Sequence, residues 1–223
     1  MYSKNKVSEY IFHYSRYYGN LLGNCENISN DNNGHASLIY LFNLLESVIK
    51  SQINDYDISF INAIKKLKTE QYINEIEYNF LNNQETGIRR IRNLLAHANL
   101  AKYNIVFLNV EQDILYPLTE NDSCIKLYNL VSELLFNLIL KIVYKNDQRI
   151  LINIDEGINN FKIEIKEVTP EKLLEYKGIF YKDIKGWDNL REDDKYRMVE
   201  NTSDVNMYIS LFNRIEDAKI NFN

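Results

Sequence analysis

Hydrophobic positions recur at spacings of three and four over most of the first 145 residues, which predicts a chain built mainly of amphipathic helices. Residues 4–24 read as a helix dense in tyrosine (Tyr10, Tyr14, Tyr17, Tyr18), and the polar stretch Asn24 to Gly34 reads as a loop. A second helix is expected from about Ala36 to Asn54, where Leu38, Leu41, Phe42, Leu45, Val48 and Ile49 make a core-facing stripe. Asp57 or Ser59 is placed to cap the next helix, to about Lys68, and Thr69 to Asn83 continues helically with Tyr72, Ile73, Ile76, Phe80 and Leu81 on one side. Thr86 is placed to cap a helix from Gly87 to about Leu100, striped by Ile88, Ile91, Leu94 and Leu95. Residues 104–118 alternate instead, which predicts an extended excursion with one short strand. From Asp122 or Ser123 a long apolar helix runs to about Tyr144.

After Asn146 the period changes. Arg149 to Asp155 and Phe161 to Val168 both alternate and are separated by Glu156-Gly-Ile-Asn-Asn, a pattern expected to form a two-stranded hairpin. Thr169-Pro170 reads as an N-cap followed by proline at the first helical position, and a final helix is expected from about Asp204 to Lys219. The expected architecture is mainly α: an antiparallel helical bundle over residues 1–146, then a small α+β extension over 147–223 made of the hairpin and helices.

Composition narrows the function classes. The 223 residues are 45% hydrophobic with only 7 Gly and 2 Pro, which suits a packed helical core and not a turn-rich all-β fold. The net charge of -5 argues against coating long nucleic acid through bulk electrostatics. The charge is uneven: residues 151–223 hold 11 basic and 15 acidic side chains, so a local basic patch in the first part remains open. Two distant cysteines, Cys25 and Cys124, are too few for a disulfide scaffold or a zinc site and read as free thiols. The first residues lack the apolar core of a secretory signal, and the most apolar run, Leu127 to Tyr144, is interrupted by Asn, Ser, Glu and Lys. A cytoplasmic protein is expected.

Chemistry concentrates in Gly87-Ile-Arg-Arg-Ile-Arg-Asn-Leu-Leu-Ala-His-Ala-Asn. Arg89 and Arg92, three apart, share a helix face, as do Asn93 and His97 at four apart. Arg92 and His97 are five apart, about 140° round a helix of 3.6-residue period. They flank one cleft if Arg92 reaches round on its long side chain, or if a second copy of the helix completes the site. These types suit cleavage of a phosphodiester by the neighbouring 2′-hydroxyl. A histidine titrates near neutral pH and serves as general acid or base. An arginine is always charged and its planar fork binds two phosphoryl oxygens. No paired carboxylates stand near His97 at metal-ligand spacing, so no metal or other cofactor is expected.

Arg92-Asn-Leu-Leu-Ala-His97 resembles the Arg-(polar)-x-x-x-His signature of HEPN domains, and the upstream helix containing Glu46 is similar to that family's other core helix. The resemblance covers roughly residues 36–145. It implies a helical bundle that dimerises to bring two Arg/His motifs into one cleft, and a metal-independent endoribonuclease acting on single-stranded RNA in bacterial toxin–antitoxin or antiphage defence. By position it makes Arg92 the phosphoryl stabiliser and His97 the general acid/base, with Asn93 orienting phosphate or His97 and Glu46 positioning Arg92. Arg89 is a supporting residue on the substrate side. RNA, a second copy of the chain and an antitoxin or defence-system protein are the implied partners. Family toxins silenced by nucleotidyl transfer carry Tyr two residues after the histidine; here Asn99 stands there, which argues against that form of partnership.

Two other readings stand beside this one. The bundle is a catalytically inactive module that binds a nucleotide or a partner protein, or a pure interaction protein whose helices only build an interface. His13 and His35 lack partners at motif spacing and are assigned no role, and Lys65, Lys66 and Lys68 read as a solvated helix face.

Overall fold

The computed structural model describes residues 1–108, 115–147 and 149–202. Within them the chain is mainly helical, with a small antiparallel sheet. The helices are α1 (Lys4–Tyr14), α2 (Arg16–Asn30), α3 (Gly34–Gln52), α4 (Phe60–Thr69), α5 (Glu75–Asn82), α6 (Ile88–His97), α7 (Asn121–Val143), α8 (Asp155–Asn160), α9 (Pro170–Tyr176) and α10 (Glu192–Asn201). The strands are β1 (Tyr103–Phe107), β2 (Tyr116–Pro117) and β3 (Ile163–Glu167), in the order β2-β1-β3. The helix expected from Asp204 lies outside the described residues.

The central contact is α3 against α7. Leu38, Leu41, Phe42, Leu45, Val48 and Ile49 of α3 are buried against Leu127, Val131, Leu135, Leu138 and Ile142 of α7. The helices approach closely at Gly34, where an added Cβ would lie 2.5 Å from the Asn121 carbonyl oxygen and 2.6 Å from the Ile125 nitrogen. Only glycine permits that approach, because both obstacles are backbone and cannot move aside. Among the described residues α7 alone is long and apolar enough to cross a membrane. However, 72% of its apolar window is buried within the protein, so packing already accounts for its composition.

The first helical stretch is two helices. Ser15 adopts φ -151°, and its hydroxyl accepts from the Tyr18 amide, stopping α1 and capping α2. The polar stretch from Asn24 then continues α2 to Asn30 instead of looping. Leu22 and Cys25 are buried at helical spacing while Asn24, Asn27 and Asn30 are exposed on the outer side. Asn32, at φ 58°, ends the run, and the Asn33 amide donates back to the Ile28 carbonyl. Thr69 to Asn83 is likewise broken. Gln71 sits at φ 59°, and Asn74 opens α5 with a capping box, its side chain accepting from Glu77 N while Glu77 accepts from Asn74 N. That signature, Asn-x-x-Glu, was present in the sequence.

The expected hairpin does not form. Residues 163–167 are a strand, but Arg149 to Asp155 is not, and the intended turn is helix α8, whose approach and body bury Ile154 and Ile158 four residues apart. β3 pairs instead with β1, Ile165 opposite Ile105 and Ile163 opposite Phe107. This puts Ile105, Phe107 and Ile163 on the face that joins the bundle core. Across the boundary expected near residue 147, therefore, the core is continuous through Ile154, Ile158 and Ile163. A separate small cluster gathers Leu174, Ile184, Trp187, Met198 and Val199. Thr169 caps α9 and Pro170 occupies its first turn, as their order in the sequence predicts.

Burial pushes the Cys25 and Cys124 thiols up to about 12, so both stay neutral and poorly nucleophilic at physiological pH. The Trp187 cluster carries a pH-sensitive latch. Trp187 Nε1 donates to Glu171 Oε1 at 2.9 Å, and Lys195 Nζ lies 3.4 Å from the same oxygen. Burial pushes the Glu171 carboxylate up, but its own backbone hydrogen bond, the indole and Lys195 outweigh this and hold it below its ordinary value of 4.5. A depressed carboxylate stabilises the fold fully above its unfolded value, and that contribution is lost as pH falls through the folded one. Fluorescence of Trp187, the single tryptophan, should hold steady from neutral pH down to about 4.5 and change below it. Glu171→Gln should abolish that acid step; an unchanged step in the variant would show that another group drives it.

Candidate functional site

The residues singled out in the sequence lie on α6 and on the facing side of α3. The α6 sequence alternates buried Ile88, Ile91 and Leu94 with polar positions, so one face packs on the core and the arginines lie to either side of it. Arg92 Nη2 donates to Glu46 Oε2 at 2.9 Å. The other Glu46 oxygen, Oε1, pairs with Lys50 at 2.9 Å. Arg92 Nη1 donates to Asn93 Oδ1 at 3.2 Å. The Glu46 side chain is only 15% exposed and that of Arg92 27%, so this cluster is partly screened from solvent and is stronger than an ordinary surface pair.

Glu46 thus holds the guanidinium from one side. The remaining Arg92 donors are left for an anion. Lys50 adds a second cation beside it. Sequence reading missed Lys50, although Glu46 and Lys50 are four apart on one helix, a spacing that pairs opposite charges.

Arg89 and Arg92 do not act together. Arg89 Nε donates to Asn82 Oδ1 of α5 at 2.8 Å, and Arg90 lies over the Tyr103 ring at 5.6 Å. The three arginines therefore address three different neighbours. His97 occupies the last position of α6 and is exposed. Beyond it, Asn99 caps a short 3-10 turn (Leu100–Lys102) and donates to Asp193 Oδ1 at 3.0 Å, while Lys102 pairs with Glu192 at 2.8 Å. The start of α10 thus borders the end of the motif helix.

His35 is accounted for by structure: its Nε2 lies 2.7 Å from the Leu118 carbonyl oxygen. Among the described residues no group of three or more His, Cys, Asp and Glu side chains is placed to hold a metal ion. A cleft of about 360 Å3 lies against α5 and α8, and one of about 420 Å3 beside Arg90; neither Arg92 nor His97 lines them. The chain matches no protein-family model, no curated protein and no solved structure.

Proposed function

We propose that the protein is a HEPN-type, metal-independent endoribonuclease that cleaves single-stranded RNA by attack of the 2′-hydroxyl on the adjacent phosphodiester. The observation that carries this reading is the Arg92 guanidinium, gripped by Glu46 and Asn93 on the helix that ends in exposed His97. In this reading Arg92 binds the phosphoryl oxygens as charge builds on them, and His97 takes the 2′-hydroxyl proton or supplies one to the leaving 5′-oxygen. Glu46 and Asn93 fix the direction of the fork, while Arg89 supports the α5 side of the helix. The protein acts as a homodimer whose two α6 helices share one cleft. Toxin or antiphage defence, with an antitoxin or defence-system partner, is the biological setting the motif suggests, and the cytoplasm is the compartment.

Incubation of the purified protein with single-stranded RNA in a metal chelator should yield fragments ending in a 2′,3′-cyclic phosphate. Intact RNA, together with thermal protection by nucleotide, would favour the inactive nucleotide-binding module instead. The specific support for that second reading is that Arg92 and His97 line neither of the two clefts described above.

A further inference from the structure

The cleft against α5 and α8 differs in kind from the other surface depressions. Its floor is apolar: Ile76 and Phe80 from α5, Ile158 from α8, and Phe161 and Ile163 beyond it. Phe80 and Phe161 pack edge to face, with ring centroids 5.6 Å apart. Its rim is formed by the carboxamides of Asn79, Asn83 and Asn159 and by the Lys162 ammonium. Asn79, Asn159 and Lys162 make no side-chain hydrogen bond or ion pair among the described residues, so their donors and acceptors are unspent. Asn83 has committed its Oδ1 to the Glu85 and Thr86 amides, which fixes that part of the rim.

Charge sets this cleft apart. The protein is net acidic, and the clefts along β3 mix both signs: Glu164 and Glu167 line them together with Glu85 and Arg90 in one and with Lys166 and Lys172 in the other. Lys162 is the one charged group among the described residues lining the α5–α8 cleft. A volume of about 360 Å3 falls at the small end of ligand sites, which run from about 300 to 1,000 Å3. An aromatic floor, carboxamides on the rim and a single cation are the features that take up an unstacked base and its phosphate. An asparagine amide matches the donor–acceptor pair on the N6/N7 edge of adenine.

We propose that this cleft is a nucleobase subsite that receives an adenine-bearing nucleotide of single-stranded RNA, with Asn79 and Asn159 reading the base edge and Lys162 the phosphate. It rests on the ribonuclease reading for its strand. Thr86, on the cleft wall, precedes α6, and the helix advances about 15 Å from there to His97 at 1.5 Å per residue. A strand held along α6 would thus have a base anchored at one end and the reacting phosphate toward the other.

The test compares the full-length wild type with Asn79→Ala/Asn159→Ala and Lys162→Ala, all exposed positions, after matching their melting curves. Calorimetry would measure binding of adenosine monophosphate and of a short single-stranded oligoadenylate, with oligouridylate as the contrast. Cleavage of oligoadenylate-containing RNA would be followed in parallel. Expected are tenfold or greater losses of oligoadenylate affinity in the double variant and in Lys162→Ala. KM for cleavage should rise while kcat holds, and oligouridylate binding should change little. Equal affinity of both variants and wild type for oligoadenylate overturns the subsite, and if RNA is still cleaved the ribonuclease reading survives. If wild type cleaves no RNA but binds adenosine monophosphate through these residues, the RNA subsite is overturned along with the ribonuclease reading, and the source of the base is a free nucleotide.

Discussion

Replacing His97 with Ala is expected to lower cleavage of single-stranded RNA by roughly 10²–10⁴-fold, the usual range for removing a positioned general acid or base. The side chain is exposed at the end of α6, so the variant should melt within about 2 °C of the wild type, as surface substitutions do. Loss of rate without loss of fold separates chemistry from structure. Arg92→Ala should also cost about 10²–10³-fold by removing the charge that meets the phosphoryl oxygens. Glu46→Gln should give a smaller loss, because it leaves the guanidinium present but aims it less firmly, and because Lys50 and Arg92 then repel without their shared carboxylate. A His97→Ala protein that cleaves as fast as the wild type would eliminate the proposed mechanism. Mixing inactive His97→Ala with inactive Arg92→Ala should restore part of the activity if one cleft draws each residue from a different copy.

The largest effect on stability is expected at Lys141. Glu77 of α5 is fully buried, and its Oε1 accepts from Lys141 Nζ of α7 at 2.6 Å, while Oε2 closes the capping box on the Asn74 amide. Lys141→Met leaves that carboxylate buried without its cation. Breaking a buried pair in this way costs about 3–5 kcal/mol. For a chain of this size that is a fall in melting temperature on the order of 10 °C. Adding Glu77→Gln should recover most of the loss, since glutamine keeps an oxygen for the Asn74 amide and carries no charge. Denaturant titration of the single and double variants checks this directly, and a Lys141→Met protein as stable as wild type would show that the pair contributes nothing net.

Much of the helical content was legible because its signals are local. The α3 stripe from Leu38 to Ile49 and the long apolar run of α7 announced themselves by period. The Thr169-Pro170 start of α9 needed only two residues. The misreadings were also local, and each had an available sign. Asn24 to Asn30 looked like a loop because its polar residues outnumber its buried ones, yet Leu22 and Cys25 keep the helical spacing. The stretch from Thr69 looked continuous because its apolar period runs on, and the break required noticing Asn74 and Glu77 as a cap. Arg149 to Asp155 alternates like a strand, but alternation says nothing about whether a partner edge is free. Here β3 pairs with β1 instead, and the five residues expected to turn the chain lie in α8, whose buried Ile158 follows Ile154 at helical spacing.

The sequence by itself determined that helices dominate and that one of them, α6, carries three arginines, Asn93 and a terminal histidine, because helix period and residue identity are properties of a few consecutive positions. Tertiary structure alone decided how those side chains are used. Glu46 and Arg92 are 46 positions apart and meet because α3 and α6 pack together. Arg89, a face-mate of Arg92 by spacing, is drawn off to Asn82 of α5. β3 reaches back across some sixty residues to pair with β1 and extends the core beyond the expected boundary. Contacts between distant segments depend on which surfaces remain unpaired once each helix has formed, and no local pattern encodes that.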